Sequence, residues 1–349
     1  MMKKIFFFII LVLLSCFIWY FSQEHKSSIS LNLPKYSRTV FAMDTQIKLI
    51  IYTNQSESIF NLAENRLHEL DNLLSVTNPT SEIYAINHRT HNTIKLNPDT
   101  TNILTTALAI SSQTNGAFDI TIYPLLKLWG FTTNHYQVPN EKSIQTTLPL
   151  VNYQQIQLAK NQLTLPPQTE IDLGAIAKGY SGDEIINLLK QQGVKSALIN
   201  IGGNVQTLGT KPDSSSWQIG LKSPLKDDFI GTLKLNNCAV VTSGLYERFF
   251  IDEQGNKYGH ILNPQTGKPV DNDLLSVSII GSQGIICDAL STALFVMGKD
   301  KAIAYWQQHQ DFQMILITKS NELYITAPLL DQFTLNPNYT DIVFMVVKA

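Results

Sequence analysis

From Arg38 onward the chain alternates between stretches suited to strands and stretches with helical periodicity. Val40 to Ile51 is β-branched and apolar but broken at Asp44 and Thr45, which predicts a bent strand or a hairpin. Ser58 to Leu74 predicts an amphipathic helix, because Phe60, Ala63, Leu67, Leu70 and Leu74 fall on one stripe while Glu64, Arg66, His68 and Asp71 fall elsewhere. A second helix is predicted over Thr101 to Ser112, ending near Asn115-Gly116. Residues 132–168 are polar and interrupted by Pro139, Pro149, Pro166 and Pro167, which predicts an excursion with at most short strands. A helix follows around Ala175 to Gln192, stopped by Gly193. Strands are predicted at Ser196–Ile201, Trp217–Leu221, Phe229–Leu235, Arg248–Ile251 and Leu275–Ile280. Ile285 to Met297 predicts a helix ending at Gly298, and Met314–Thr318, Leu323–Thr326 and Ile342–Val347 predict three closing strands. Strands and helices mix without regular βαβ spacing, so the expected class is α+β, with mixed or antiparallel sheets and packed helices.

The first residues follow a different pattern. Lys3 and Lys4 precede an uncharged apolar run from Ile5 to Phe21, as in an export signal. Leu13-Leu14-Ser15-Cys16 resembles a bacterial lipobox, with Cys16 the lipidated residue. The same run also reaches the lower end of the length that spans a bilayer, so an uncleaved anchor helix fits too. Both routes place the body outside the cytoplasm, on a bacterial inner membrane, because the two lysines hold the N-terminus inside. The expected organisation is a signal or anchor at 1–21, a polar tether at 22–36 and one body at 37–349. With 44% hydrophobic and 15% charged residues the body reads as a folded globular protein. A net charge of −2, with no basic run beyond Lys3-Lys4, argues against nucleic-acid binding. Cys238 and Cys287 are the remaining cysteines and are expected to be inert buried thiols.

Three clusters are candidates for chemistry. The Ile285–Met297 segment is apolar almost all round apart from Asp288, Ser291 and Thr292. Asp288 and Thr292, four apart, share a face, and no Lys or Arg within the segment balances the carboxylate. A hard cation would do so; a solvent-facing Asp288, or one bonded to a distant backbone N–H, is the plainer alternative. The second cluster is Asp172-Leu173-Gly174-Ala175-Ile176-Ala177-Lys178-Gly179-Tyr180, where a helix start offers free N–H groups and Lys178 can reach a phosphate. An ordinary N-cap with a solvated lysine explains it as well. Ile201-Gly202-Gly203-Asn204 ends a strand with backbone that a ligand can approach, or is simply a tight turn. The third cluster runs from Thr242 to Arg248 and from Gly259 to Gly267, with His260 at a strand end before an Asn-Pro turn. Neither Gly-x-Ser-x-Gly, Gly-x-Gly-x-x-Gly nor a Walker A pattern is present.

Taken in order, the segments resemble the ApbE family of FAD:protein FMN transferases. The matching pieces are Phe41-Ala42-Met43-Asp44-Thr45, Ser81-Glu82-Ile83 with Asn87, Gly116-Ala117-Phe118-Asp119-Ile120-Thr121, Leu128-Trp129-Gly130-Phe131, the Asp172–Tyr180 run, Asn200-Ile201-Gly202-Gly203-Asn204, Ser243-Gly244, the His260–Gly267 run and Asp288–Leu294. The resemblance implies a single catalytic body with a T-fold-related α+β architecture. It implies FAD contacts at Ala117, Phe118, Asp119, Asp172, Lys178, His260 and Ile261, with Met43 near the flavin. It further implies Mg²⁺ held by Asp288, Thr292 and the Ala175 carbonyl. The implied reaction carries FMN from FAD to a Thr or Ser hydroxyl of a partner protein, with His260 as proton acceptor or phosphate contact. Partners of the Rnf or sodium-pumping NADH:quinone reductase type are implied as well. Two positions depart from the family pattern: Asp44 stands where a Gly usually follows the Met, and Thr77 where an aromatic residue is frequent. A Mg²⁺-dependent FAD pyrophosphatase and a flavin-binding lipoprotein without chemistry are the alternatives.

Overall fold

The structure is a computed structural model that describes residues 33–133 and 135–349. Cys16, the apolar run around it and most of the tether lie outside the described residues. Strand β1 (Lys35–Ala42) takes in Lys35 and Tyr36, at the end of the stretch expected to be tether. It pairs with β2 (Thr45–Tyr52) from Lys35↔Tyr52 to Ala42↔Thr45, which is the hairpin predicted for Val40–Ile51. Met43 and Asp44 form the whole turn, both left-handed, with φ of 54° and 55°. A two-residue turn of that hand matches the twist of the strands, and Asp enters the left-handed region more readily than most residues. The turn therefore closes without the family's glycine.

Helix α1 (Ser56–Leu74) buries the predicted stripe together with Ile59. After it come α2 (Glu82–Asn87), β3 (Thr93–Lys95), α3 (Pro98–Gln113) and α4 (Tyr123–Trp129). The expectation of at most short strands over 132–168 needs correction, because α5 (Glu141–Thr147) lies there, capped by Asn140 accepting from the Ser143 N–H. Ile144 is its one buried residue, so the sequence offers no stripe from which to read it. Strands β4 (Gln157–Ala159) and β5 (Gln162–Thr164) join β3 in a small sheet. Helix α6 (Ala177–Gln191) leads into β6 (Ser196–Ile201), β7 (Asn204–Leu208), β8 (Trp217–Lys222), β9 (Phe229–Leu235) and β10 (Ala239–Gly244). The chain continues through the hairpin β11 (Phe249–Ile251) and β12 (Lys257–Gly259), then β13 (Leu274–Gly281), α7 (Gly284–Met297) and α8 (Lys299–Gln308). It closes with β14 (Gln313–Thr318), β15 (Glu322–Thr326), β16 (Phe333–Leu335) and β17 (Val343–Val347).

Nine strands form the main sheet in the order β1-β2-β6-β7-β10-β13-β14-β15-β17, antiparallel except for the parallel β15–β17 pair. Helices cover one face. Leu49, Ile199 and Leu189 pack there with α1, while Val277, Met314 and Phe295 pack with α3, α7 and α8. The β16-β9-β8 sheet covers the other face beneath β13–β15, so Ile315 and Ile317 are buried beside Leu233 and Phe333. A strand buried on both faces reads as a continuous apolar run, which is why Met314–Thr318 shows no alternation. The fold is α+β, as expected.

Candidate active site

Helices α6 and α7 cross at glycines. A Cβ on Gly179 would stand 2.2 Å from the Gly284 carbonyl oxygen, and one on Gly284 would stand 1.8 Å from the Gln206 amide nitrogen. No larger residue permits that approach. The same contact brings the Asp288 carboxylate to the first turn of α6, where its Oδ2 accepts the Gly179 N–H at 2.8 Å. Asp288 thus does bond a distant backbone N–H, as the plainer alternative for it held, but with only one of its oxygens. Gly179 would ordinarily donate to the carbonyl four residues back, on Ala175. With that donor diverted, neither the Ala175 carbonyl nor Asp288 Oδ1 accepts a hydrogen bond among the described residues.

Thr292 lies one turn further along α7. Its hydroxyl is 3.2 Å from Ser243 Oγ at the end of β10, which is also 2.8 Å from Ser291 Oγ. Ser291 in turn donates to the Asp288 carbonyl at 2.8 Å. Ser243 is therefore engaged with α7. Asn204 is 2% exposed, and neither polar atom of its amide has a hydrogen-bond partner among the described residues. It shares the helix-facing side of β7 with Gln206, two residues on, whose amide donates to the Gly179 carbonyl at 2.9 Å. Orphaned buried amides are rare and mark places where a bound group or water completes the structure.

Burial raises the Asp288 carboxyl above its ordinary range, against the opposing effects of the Lys178 charge and the Gly179 N–H. Burial also raises Asp172, countered by the Gly174 N–H and by the charges of Arg248 and Lys178. Its Oδ1 accepts the Gly174 N–H at 2.8 Å, so Asp172 orders the loop before α6 and does not cap the helix. The Asn87 side-chain amide donates to the Ile171 carbonyl and accepts the Ile171 N–H, each at 2.8 Å, and Asp172 N–H donates to the Ile120 carbonyl at 2.8 Å. The 117–122 and 171–178 segments are thereby held side by side. His260 follows β12 directly. Its backbone N–H and its Nδ1 both donate to the Arg248 carbonyl, at 3.1 and 2.9 Å. A carbonyl only accepts, so Nδ1 carries the proton and Nε2 keeps a free lone pair. Burial, with the charges of Lys178 and Arg248, lowers this imidazole to about 4, so it is neutral at physiological pH.

The oxygens at the α6–α7 crossing are one carboxylate, one hydroxyl and one backbone carbonyl, all hard donors suited to Mg²⁺ when a substrate completes the shell. Among the described residues no three of His, Cys, Asp and Glu converge as a soft-metal cluster would require. No described helix is long and apolar enough to cross a membrane.

A model described as the ApbE family matches residues 43–316, a span that takes in every element of this crossing. The chain belongs to the ApbE family. It is 35% identical over 299 residues to a FAD:protein FMN transferase of Klebsiella pneumoniae (strain 342), covering 84% of this chain and 92% of that protein. A FAD:protein FMN transferase of Treponema pallidum (strain Nichols) is 28% identical over 325 residues, covering 85% and 88%. Among solved structures, the ApbE protein of Thermotoga maritima superposes with a TM-score of 0.77 at 29% identity, over 88% of this chain and 98% of that one.

Several ApbE motif positions carry buried side chains. Asp119 is 8% exposed; its Oδ1 accepts from the Thr121 N–H and hydroxyl and its Oδ2 from the Tyr153 N–H, at 2.8, 2.6 and 3.0 Å. The Phe118 ring is buried in the same core cluster as Ile261. Ala117 is buried too, and Met43 packs at the hairpin tip against both helix-side clusters. Thr77 is exposed and hydrogen-bonded to Ser75. Ser243, Asn204 and Gln206 contribute to the ApbE crossing although sequence patterns single out none of them as a ligand. Ser243 and Asn204 stand inside motif segments, which is the one signal that could have drawn attention to them. Cys238 and Cys287 are free, and burial raises both thiols, Cys238 to about 11.

Proposed function

We propose that this chain transfers the FMN portion of FAD to a Thr or Ser hydroxyl of a partner protein and releases AMP, with Mg²⁺ held by Asp288, Thr292 and the Ala175 carbonyl. The reading is carried by the two oxygens, Asp288 Oδ1 and the Ala175 carbonyl, that are left without donors where α6 meets α7. Both are hard oxygen donors with capacity to spare, and a hard cation is the group that both can serve at once. When bound, Mg²⁺ would neutralise the diphosphate and make AMP a better leaving group.

The protein's own residues do the rest. Lys178 and the positive end of the α6 dipole favour an anionic diphosphate beside Asp288. Neutral His260 receives the proton of the attacking hydroxyl at Nε2, while its Nδ1–H stays with the Arg248 carbonyl. The acceptor oxygen forms a bond to the FMN-side phosphorus as the bond from that phosphorus to the AMP oxygen breaks. Asp172 holds the loop before α6 in place, so that Lys178 keeps its approach. A membrane-anchored body outside the cytoplasm, attached through Cys16 or an uncleaved helix, rests on the Lys3–Phe21 pattern. Acceptors of the Rnf or sodium-pumping NADH:quinone reductase type rest on the family resemblance.

The test is to mix the protein with FAD, Mg²⁺ and a candidate acceptor subunit. Covalently fluorescent acceptor with matching AMP is the expected result. Free FMN and AMP with unlabelled acceptor would replace transfer by hydrolysis, and FAD binding without AMP release would leave a carrier.

A further inference from the structure

Neither α6 nor α7 caps its own N-terminus: the residues at the cap positions, Ile176 and Gln283, make no side-chain cap hydrogen bond. Each receives its carboxylate from the other helix instead. Asp288 of α7 accepts the Gly179 N–H in the first turn of α6, at 2.8 Å. Asp183 of α6 accepts the Gly284 and Ile285 N–H groups, the first two of α7, at 2.7 and 2.8 Å on its two oxygens. A carboxylate is the preferred partner for these unpaired N–H groups and for the positive end of the helix dipole. Between the two exchanges the glycine contact and the Gln206 amide fix the separation of the helices.

The two carboxylates differ in what remains to them. Both Asp183 oxygens are engaged, whereas Asp288 keeps one oxygen free. We infer that Asp183 is a positioning residue for the divalent-cation site: by clamping the start of α7 to α6 it sets where Asp288 Oδ1 and Thr292 stand relative to the Ala175 carbonyl. This inference rests on the proposed metal reading and adds to it a residue that touches neither metal nor FAD. Asp183 lies five residues beyond Lys178, on the same helix, so it also ties the cation side of the site to the phosphate side. Burial pushes its carboxyl up to about 6, so at neutral pH it remains the anion that the helix terminus favours.

The experiment is a Mg²⁺ titration of the full-length protein with FAD and no acceptor, followed by the change in FAD fluorescence, with thermal melting run in parallel. Asp183→Asn keeps the shape but halves the acceptor capacity. It should weaken the apparent Mg²⁺ midpoint by about tenfold, the scale of a lost hydrogen bond to a charged group. Asn97→Ala removes the cap of α3, far from this crossing, and should lower the melting temperature while leaving the Mg²⁺ midpoint unmoved. A wild-type midpoint in Asp183→Asn would reduce Asp183 to a helix cap and overturn the inference. Should that variant fail to fold, Asp183→Glu, which keeps the charge but displaces it, carries the same two outcomes. Asp288→Ala separates the two levels: if it titrates like wild type the metal reading itself fails, and if it alone loses Mg²⁺ only the role of Asp183 is withdrawn.

Discussion

The two faces of the main sheet obey different rules. The face covered by β8, β9 and β16 is filled with Ile219, Leu233, Ile280, Ile315, Ile317 and Leu323, and its hydroxyls Thr242 and Ser278 satisfy each other at 2.7 Å. The face under α6 and α7 holds Asp288, Asn204, Gln206 and Ser291 in surroundings just as dry. A carboxylate and an orphaned amide are costly to bury, and apolar residues of the same volume would be more stable there. One face therefore serves folding alone, while the other gives up stability to keep polar groups at the helix crossing. Glycine at the helix crossing belongs to the same compromise, since it trades side-chain packing for close backbone approach.

The contrast can be broken by substitution on either face. The largest effect is expected from Asp288→Ala, which should abolish Mg²⁺-dependent AMP release and acceptor labelling. Its melting temperature should fall, because the buried Gly179 N–H loses its acceptor. Unchanged turnover would rule out the proposed cation site. His260→Ala comes next: transfer should slow by about 10²-fold or more with FAD affinity retained, measured by single-turnover labelling beside a binding titration. Equal loss of binding and rate would make His260 a binding residue only. On the other face, Ile317→Ala should cost about 2–5 kcal/mol in urea unfolding while the rate per folded molecule stays at the wild-type value.

The smallest effect concerns pH. His260 is held below its ordinary value, so its share of stability is complete above about pH 6.5 and is lost as pH falls towards about 4. The His260-dependent limb of the rate should likewise stay flat through the ordinary histidine range and fall only as pH approaches about 4. A limb centred near 6.5 would contradict the lowered imidazole, and the assignment of a neutral base would go.

Much of the fold was legible because burial on one or both faces writes itself into sequence. β6 and β9 match their predicted spans, and α7 differs from its prediction by one residue at its start. β7 was not legible, because Asn204, Gln206 and Thr207 are buried polar residues that break the apolar pattern of a strand. Helix α8 was missed for a related reason, since only Ala302, Tyr305 and Trp306 turn inward. At the site, Asp288, Thr292, Lys178 and His260 stood out by chemistry and by resemblance, and the α6–α7 crossing brings the Asp288 carboxylate to the turn that carries Lys178. Asp119 shows what a motif does not display: its carboxylate accepts from Thr121 and Tyr153. Asp183 was invisible because its partners, Gly284 and Ile285, stand about a hundred residues away and offer only backbone N–H groups.

The most direct measurement is anomalous diffraction from a crystal of the protein soaked with FAD and Mn²⁺, an ion that accepts the same oxygen donors as Mg²⁺. One strong peak is predicted at about 2.1 Å from Asp288 Oδ1 and comparably close to the Ala175 carbonyl and Thr292 Oγ1, bridged to the FAD diphosphate. An ion on the diphosphate that ignores all three protein oxygens would contradict the proposed site outright.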